Sequence, residues 1–360
     1  MTRAESTPAG ADPAQADPAQ PSPAQADPAD PTLAELSEIA VLQRIFPRLP
    51  ESDATLLGPG DDAAVLAAPD GRFVVTTDMM IHGPDFRLAW SRPADLGWKA
   101  AATNLSDVAA MGARPTALVV AIAAPQHLPV SVLEGISDGL REACAALAPG
   151  CGVVGGDLSA SDTLTLAVTA FGDLEGRAPV LRSGARPGDT VAVAEGGNTL
   201  GEAGRGLALL FTRAIDAEGA PDAAAADALR TAYPRLLGAQ LRPSPPIPAG
   251  AAAAASGATA MLDVSDGLAL DATRIARASG VLIDFESAAL GEHPESALGG
   301  GEDHSLLACF PAGAVLPAGF RPVGRVLKLP AGEPAGITVD GAPHLPGGWD
   351  PYRGWDGHAG

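Results

Sequence analysis

The stretch Pro93–Pro125, "PADLGWKAAATNLSDVAAMGARPTALVVAIAAP", decides how the chain is read. Its first part reads as a helix over 93–115, closed by Gly112 and then Pro115. "ALVVAIAAP" (117–125) then reads as a buried strand, because it is short, apolar and uncharged. A helix feeding a buried strand is the unit of an α/β layer architecture.

The alternation continues on both sides. Upstream, "FVVTTD" (73–78) is a β-branched strand. "TLAELSEIAVLQRIF" (32–46) carries Leu33, Leu36, Ile39, Leu42 and Ile45 three apart, widened by Ala40 and Val41, which predicts a helix. Downstream, Ser131 with Glu134 forms a capping box for a helix with a Leu133, Ile136, Leu140, Cys144, Leu147 stripe. "GVVGGD" (152–157) and "TLTLAVTAFG" (163–172) read as strands, the second with one buried face. After "GRAPVLRSGARPGD" come the strand "TVAVAE" (190–195), helices across 200–217 and 223–240, and the connector "RPSPPIP" (242–248). A helix, the strand "AMLDV", the helix "GLALDATRIARASG" and the strands "VLIDF", "SLLACF" and "VGRVL" complete the order. The fold class is α/β, with α+β mixed sheets in two domains, 35–177 and 178–360. Residues 1–34 form a Pro/Ala-rich tail whose five-residue "ADPAQ" repeat has too little apolar surface to fold.

Composition narrows the function. The 360 residues are 46% hydrophobic, and the net charge is −20 with a pI near 4.5. That balance disfavours nucleic acid and anionic membrane as partners and suits cations. Lys99 and Lys328 are the only lysines, so a lysine-centred phosphate loop has few candidates. Three cysteines without C-x-x-C spacing, and no signal segment or long apolar run, predict a reducing, cytoplasmic setting.

One pattern recurs: an aspartate at the end of an apolar strand. "GPGDD" supplies Asp62, "VVTTD" Asp78, "GVVGGD" Asp157, and "AMLDVSDG" Asp263 and Asp266, while Asp107 sits in the helix "NLSDVAAMG". Open α/β sheets bind ligands beyond the carboxyl ends of their strands, so these ends are expected to share one cleft. Converging carboxylates raise one another's pKa unless cations neutralise them. Magnesium takes oxygen ligands and commonly shares its shell with substrate phosphates, which points to a nucleoside triphosphate. No P-loop or protein-kinase signature is present. Asp95 and Lys99, four apart, read as a solvated helix pair.

"GPGDDAAVL", "TTDMM…HGPDF", "DLGWKAAATNLSDVAAMGARP", "VVGGDLS", "LRSGARPGD", "LDVSDGLALD" and "GGGEDHSLL" occur in that order. The ordered set resembles the thiamine-monophosphate kinase family, within the aminoimidazole-ribonucleotide-synthetase-like ATP-binding superfamily, over about residues 35–356. The resemblance implies ATP-dependent, magnesium-dependent phosphorylation of thiamine monophosphate to thiamine diphosphate by direct transfer, in a homodimer built through the N-terminal domains. It implies metal ligands at Asp62, Thr76, Thr77, Asp78, Asp107, Asp157 and Asp263, with Asp266 near a further metal. Gly156, Asp157, Arg182 and Ser265 would meet ATP, with Asp62, Asp157 and Arg182 central to catalysis. Glu302 and Trp355 would line the thiamine site, Trp355 by stacking on a cationic ring. The acceptor is an ionised phosphate oxygen, so no strong general base and no histidine are expected in the site. The family histidine seven residues past the "TTD" aspartate is Asp85 here, and a histidine stands instead at His82. The competing readings are another enzyme of the superfamily, such as aminoimidazole-ribonucleotide or selenophosphate synthetase, or a non-catalytic acidic module that binds divalent ions.

Overall fold

Alternating apolar residues build two mixed sheets, and helices pack between them. The computed structural model describes residues 30–58, 63–345 and 347. Its first half holds α1 (Glu38–Ile45), β1 (Thr55–Leu57), β2 (Val65–Leu66), β3 (Val74–Ile81), α2 (Pro93–Ala110), β4 (Arg114–Ala124), α3 (Val130–Leu147), β5 (Gly152–Ala160) and β6 (Thr165–Asp173). β1 and β2 pair as a short ribbon, and the main sheet runs β3-β6-β4-β5 with β4 and β5 parallel. α2 and α3 cover one face. They cross so closely that a Cβ on Gly97 would lie 1.9 Å from the Ile136 carbonyl oxygen, and one on Gly139 2.0 Å from that of Ala94. Glycine is therefore the only residue that fits either position.

The second half holds β7 (Thr190–Ala194), α4 (Glu202–Arg213), α5 (Ala223–Ala232), α6 (Pro234–Leu241), α7 (Ile247–Ala255), β8 (Ala260–Val264), α8 (Leu268–Ser279), β9 (Val281–Phe285), α9 (Pro294–Gly299), β10 (Ser305–Phe310), β11 (Phe320–Lys328), β12 (Gly336–Val339) and β13 (Ala342–His344). These strands form a seven-stranded sheet in the order β13-β12-β9-β11-β7-β10-β8. Alternation splits its core in two. Val191, Val193, Leu262, Val264, Leu307 and Cys309 pack with α8. Ala192, Ala194, Met261, Leu306, Ala308 and Phe310 turn the other way and join the core of the first half, with Leu105 and Val108 of α2. Asp263 shares the side of Met261 by period-two alternation, so it faces the first half.

Several expectations shift. The helix expected over 32–46 breaks at Leu36, and Ser37 caps α1 by accepting from the Ala40 N–H at 3.3 Å. No capping box forms on Ser131. Asp30, from the segment assigned to the tail, accepts from the Ser131 N–H at 3.0 Å and from its hydroxyl. Glu134 instead pairs with Arg44 and Arg48 of the neighbouring N-terminal segment. The single helix expected over 223–240 divides at Pro234, which opens α6. Asp78 and Asp157 lie inside strands rather than at their ends. β3 continues through Met79, Met80 and Ile81 because these still pair with β6, and β5 runs on to Ala160 beside β4. Cys144, Cys151 and Cys309 are buried and free. Among the described residues no helix is long and apolar enough to cross a membrane.

Candidate active site

β3 presents two opposite faces. Thr76 and Asp78 turn toward α2 together with buried Met80, while Val75 and Met79 are 55% and 58% exposed on the far side. The Thr76 hydroxyl donates to the Asp107 carboxylate of α2 at 2.8 Å. Asp263 approaches from the other sheet. Its charge bears on both Asp78 and Asp107. Burial, then the charge of Asp263, pushes Asp78 upward. Burial, then Asp263 and Asp78, pushes Asp107 to about 7, with the Thr76 hydrogen bond and His304 opposing. Carboxylates from both halves thus meet without enough positive charge to keep them all ionised.

A histidine does enter this site, contrary to expectation, and it belongs to the "GGGEDHSLL" motif itself. His304 Nδ1 faces Asp263 Oδ2 at 3.2 Å and Nε2 faces Thr103 Oγ1 at 3.4 Å. Thr103 commits its own hydrogen to the Lys99 carbonyl at 3.0 Å, so it accepts from the ring. Both ring nitrogens then act as donors, which describes an imidazolium. Burial alone would lower its pKa; the hydrogen bond and charge of Asp263, then Glu302, outweigh burial and hold it above the ordinary value. The only signal in the sequence was a histidine inside a motif read for its acids.

Lys99 does not pair with Asp95. It reaches Glu302 at 2.8 Å, while Asp95 takes Arg230 at 2.7 Å. A helix interior under a second sheet offers long-range partners that i,i+4 spacing does not reveal. Glu302 also accepts from Gln240. Burial opposes its charge, but Lys99 and the Gln240 hydrogen bond hold its pKa below the ordinary value. Glu302 and His304 have φ of 66° and 52°, a left-handed backbone that ordinary residues adopt only when their surroundings fix it. Asp303 between them accepts from the Gly201 and Ala203 N–H groups at the start of α4.

The remaining residues singled out in the sequence are dispersed. Asp266 pairs with Arg274 at 2.5 Å, and Asp271 accepts from the Ser265 and Asp266 N–H groups, both at 3.0 Å. Ser265 is therefore held by its backbone beside the cluster. Thr77 lies on the opposite face of β3 from Asp78, with its hydroxyl on the Val168 carbonyl. Asp157 pairs in register with Ala121, which pairs with Ala167 and so with Met79, placing its side chain on that same open face. Its neighbour Gly156 presses against β4, where a Cβ would lie 2.0 Å from the Val120 carbonyl oxygen. Arg182 is exposed, and its carbonyl accepts from Ser279 at 3.2 Å. Asp62 and Trp355 lie outside the described residues.

Beside Glu302 opens a cavity of about 540 Å³. Asp85, Arg205, Phe211, Glu295 and the Gly299–Gly301 turn line it. Asp85 fixes one carboxylate oxygen on the Ile81 N–H at 2.7 Å, and burial with the Glu302 charge raises its pKa. His82 turns elsewhere: its Nε2 accepts from the Leu88 N–H at 3.3 Å and its ring packs on Phe86. The cavity residues come from separate segments; Asp85, Gly299–Gly301 and Glu302 lie in quoted motifs, whereas no sequence pattern marked Arg205, Phe211 or Glu295. Three carboxylates against one arginine around a mostly apolar hollow suit a cationic, partly aromatic guest.

Among the described residues, no three Asp, Glu, His or Cys side chains already form a chelate. The donors that do gather, Thr76, Asp78, Asp107 and Asp263, are all oxygen, the chemistry a hard dication takes. Magnesium is normally held by one or two carboxylates with water and substrate phosphates completing the shell, which this open set fits.

The chain is also similar to known proteins. Residues 60–174 match the model of "AIR synthase related protein, N-terminal domain". A thiamine-monophosphate kinase of Mycobacterium tuberculosis (strain CDC 1551 / Oshkosh) is 44% identical over 340 residues, covering 90% of this chain and 92% of that protein. The crystal structure of thiamine-monophosphate kinase from Stenotrophomonas maltophilia K279a superposes with a TM-score of 0.70 at 32% identity, covering 85% of this chain and 98% of that one. AaThiL complexed with AMPPCP and TMP superposes with a TM-score of 0.65 at 32% identity, covering 88% and 97%.

Proposed function

We infer that this chain, which belongs to the thiamine-monophosphate kinase family, transfers the γ-phosphoryl group of ATP to thiamine monophosphate, forming thiamine diphosphate and ADP. The observation that carries the reading is the meeting of Asp78, Asp107 and Asp263, from two sheets and the helix α2, in the neighbourhood of a cavity edged by Glu302. Thr76, Asp78, Asp107 and Asp263 would hold magnesium, with Asp62 as a further ligand and Asp266 near a further ion. When bound, magnesium neutralises and aligns the phosphates of an in-line transfer.

The chain's own groups do the rest. The Thr76 hydroxyl fixes the Asp107 rotamer, so that carboxylate is aimed before a ligand arrives. Glu302, braced by Lys99 and Gln240, and Asp85, braced by the Ile81 N–H, set two negative edges for the cationic thiamine ring. Phe211 supplies an aromatic wall, and Trp355 would close the stack. The acceptor phosphate is already ionised at neutral pH, so no group need remove a proton from it. His304 agrees with this, because both its nitrogens are engaged.

Gly156, Asp157, Arg182 and Ser265 are the proposed ATP contacts. Asp157 and Thr77 face away from Asp78 within one chain, on the side where Val75 and Met79 leave apolar area exposed. An exposed apolar sheet face of this kind supports a homodimer formed through the first half. Three buried, free cysteines support a reducing, cytoplasmic setting.

The test is direct. Purified protein with Mg²⁺, ATP and thiamine monophosphate is assayed for thiamine diphosphate, beside the acceptor substrates of the two rival synthetases. Product only from thiamine monophosphate supports the reading; no product, or preference for a rival acceptor, overturns it.

A further inference from the structure

We propose that His304 is a positioning residue that sets β8 against α2 and so holds Asp263 in register with Asp107. Neither half of the chain contains all the gathered carboxylates, so their spacing depends on the contact between α2 and the second sheet. His304 touches both sides of that contact. Its N–H donates to the Val264 carbonyl at 2.8 Å, and its Nδ1 meets Asp263 at 3.2 Å. Its Nε2 meets Thr103 at 3.4 Å, and its carbonyl accepts from the Ser106 hydroxyl at 3.3 Å. Thr103 lies one helical turn before Asp107, and Ser106 lies next to it. The same residue thus grips the strand that carries Asp263 and the helix that carries Asp107.

Its own freedom is small. The side chain is 3% exposed and the backbone is left-handed. Glu302 anchors the preceding backbone to Lys99 of α2, and Asp303 anchors it to α4. Ligand-side partners of this kind commonly alter metal affinity or activity about 10–100-fold when removed. The proposal concerns geometry and adds to the kinase reading, on which only its kinetic readout rests.

The experiment is a cycle of His304→Ala, Thr103→Val and the double variant, with His304→Gln as a milder change. Mn²⁺ binding in the presence of a non-hydrolysable ATP analogue is titrated by electron paramagnetic resonance, and kcat and KM are measured alongside. His304→Ala is expected to weaken Mn²⁺ binding about 10–100-fold and to lower kcat in parallel, with KM for thiamine monophosphate changing far less. Thr103→Val is expected to shift both the same way by a smaller factor, and to add nothing once His304 is gone. Unchanged Mn²⁺ affinity in folded variants, a Thr103 effect that persists undiminished in the His304→Ala background, or no Mn²⁺ binding by the unmodified protein overturns the proposal. If His304→Ala does not fold, Thr103→Val and His304→Gln carry the same comparison. The Mn²⁺ pattern without thiamine diphosphate formation would leave the positioning role standing and remove the kinase reading.

Discussion

Asp107 and Asp271 are both buried acids whose carboxyl groups are pushed to about 7, yet they are surrounded differently. Asp271 accepts two backbone N–H groups and pairs with Arg274, so its charge is matched locally and it pins the 265–266 turn. Asp107 has one hydroxyl partner and two carboxylates for neighbours. The first arrangement is complete within the protein. The second has no such local match, which is why we propose that a cation completes it. A raised carboxyl pKa therefore marks a ligand site here only where partners are lacking.

The largest effect expected from this contrast is on turnover. Asp78→Asn and Asp107→Asn should each lower kcat/KM by about 10²–10³-fold, since each removes a carboxylate from the set proposed to hold magnesium. The same Asp107→Asn change should raise the stability of the metal-free protein at pH 8 by about 2 kcal/mol, because an uncompensated buried charge is lost. Urea denaturation without metal reads this. Asp271→Ala should do the reverse, costing about 2 kcal/mol by leaving the Ser265 and Asp266 N–H groups without their acceptor. If both variants lose stability alike, the distinction fails.

A pH series sharpens it. In the folded protein Asp107 keeps its proton to about pH 7, whereas the unfolded chain releases it near pH 4. The folded state binds the extra proton in that window, so metal-free stability should fall as pH climbs from about 4 to about 7. Asp271 and Asp303, also pushed to about 7, add falls of the same sign. Mg²⁺ should remove only the share of Asp107 and its neighbours, which Asp107→Asn should remove as well. Denaturation at pH 5 and pH 8, with and without Mg²⁺, checks this.

The smallest effect concerns a carboxylate with a purely local task. Asp30→Ala should cost about 1 kcal/mol by uncapping α3. Deleting residues 1–29 should leave midpoint and activity unchanged, whereas a deletion reaching Pro31 should show the Asp30 loss. Thermal melts of the two truncations separate these outcomes.

What could be read from the chain, and what could not, follows range of interaction. α2, β4, α8 and β9 declare themselves through local periodicity and breakers. The Asp30 cap joins residues 101 apart, and no local signal carries it. β12 and β13 went unforeseen because four- and three-residue strands exist only by pairing, β12 with β9 and β13 with β12. The aspartates were legible as a set, but their directions were not. Whether Asp157 shares a face with Asp78 depends on register across four strands, including an irregularity between Leu118 and Val119. Lys99 and His304 were hidden for the same reason, since their partners lie 203 and 41 positions away, at Glu302 and Asp263.

Calorimetric titration of a non-hydrolysable ATP analogue, with and without Mg²⁺, addresses the central claim most directly. The account predicts binding at least about tenfold tighter with Mg²⁺ in the unmodified protein, and loss of that difference in Asp107→Asn. Equal affinity with and without the ion, or a Mg²⁺ effect that survives in the variant, would contradict it.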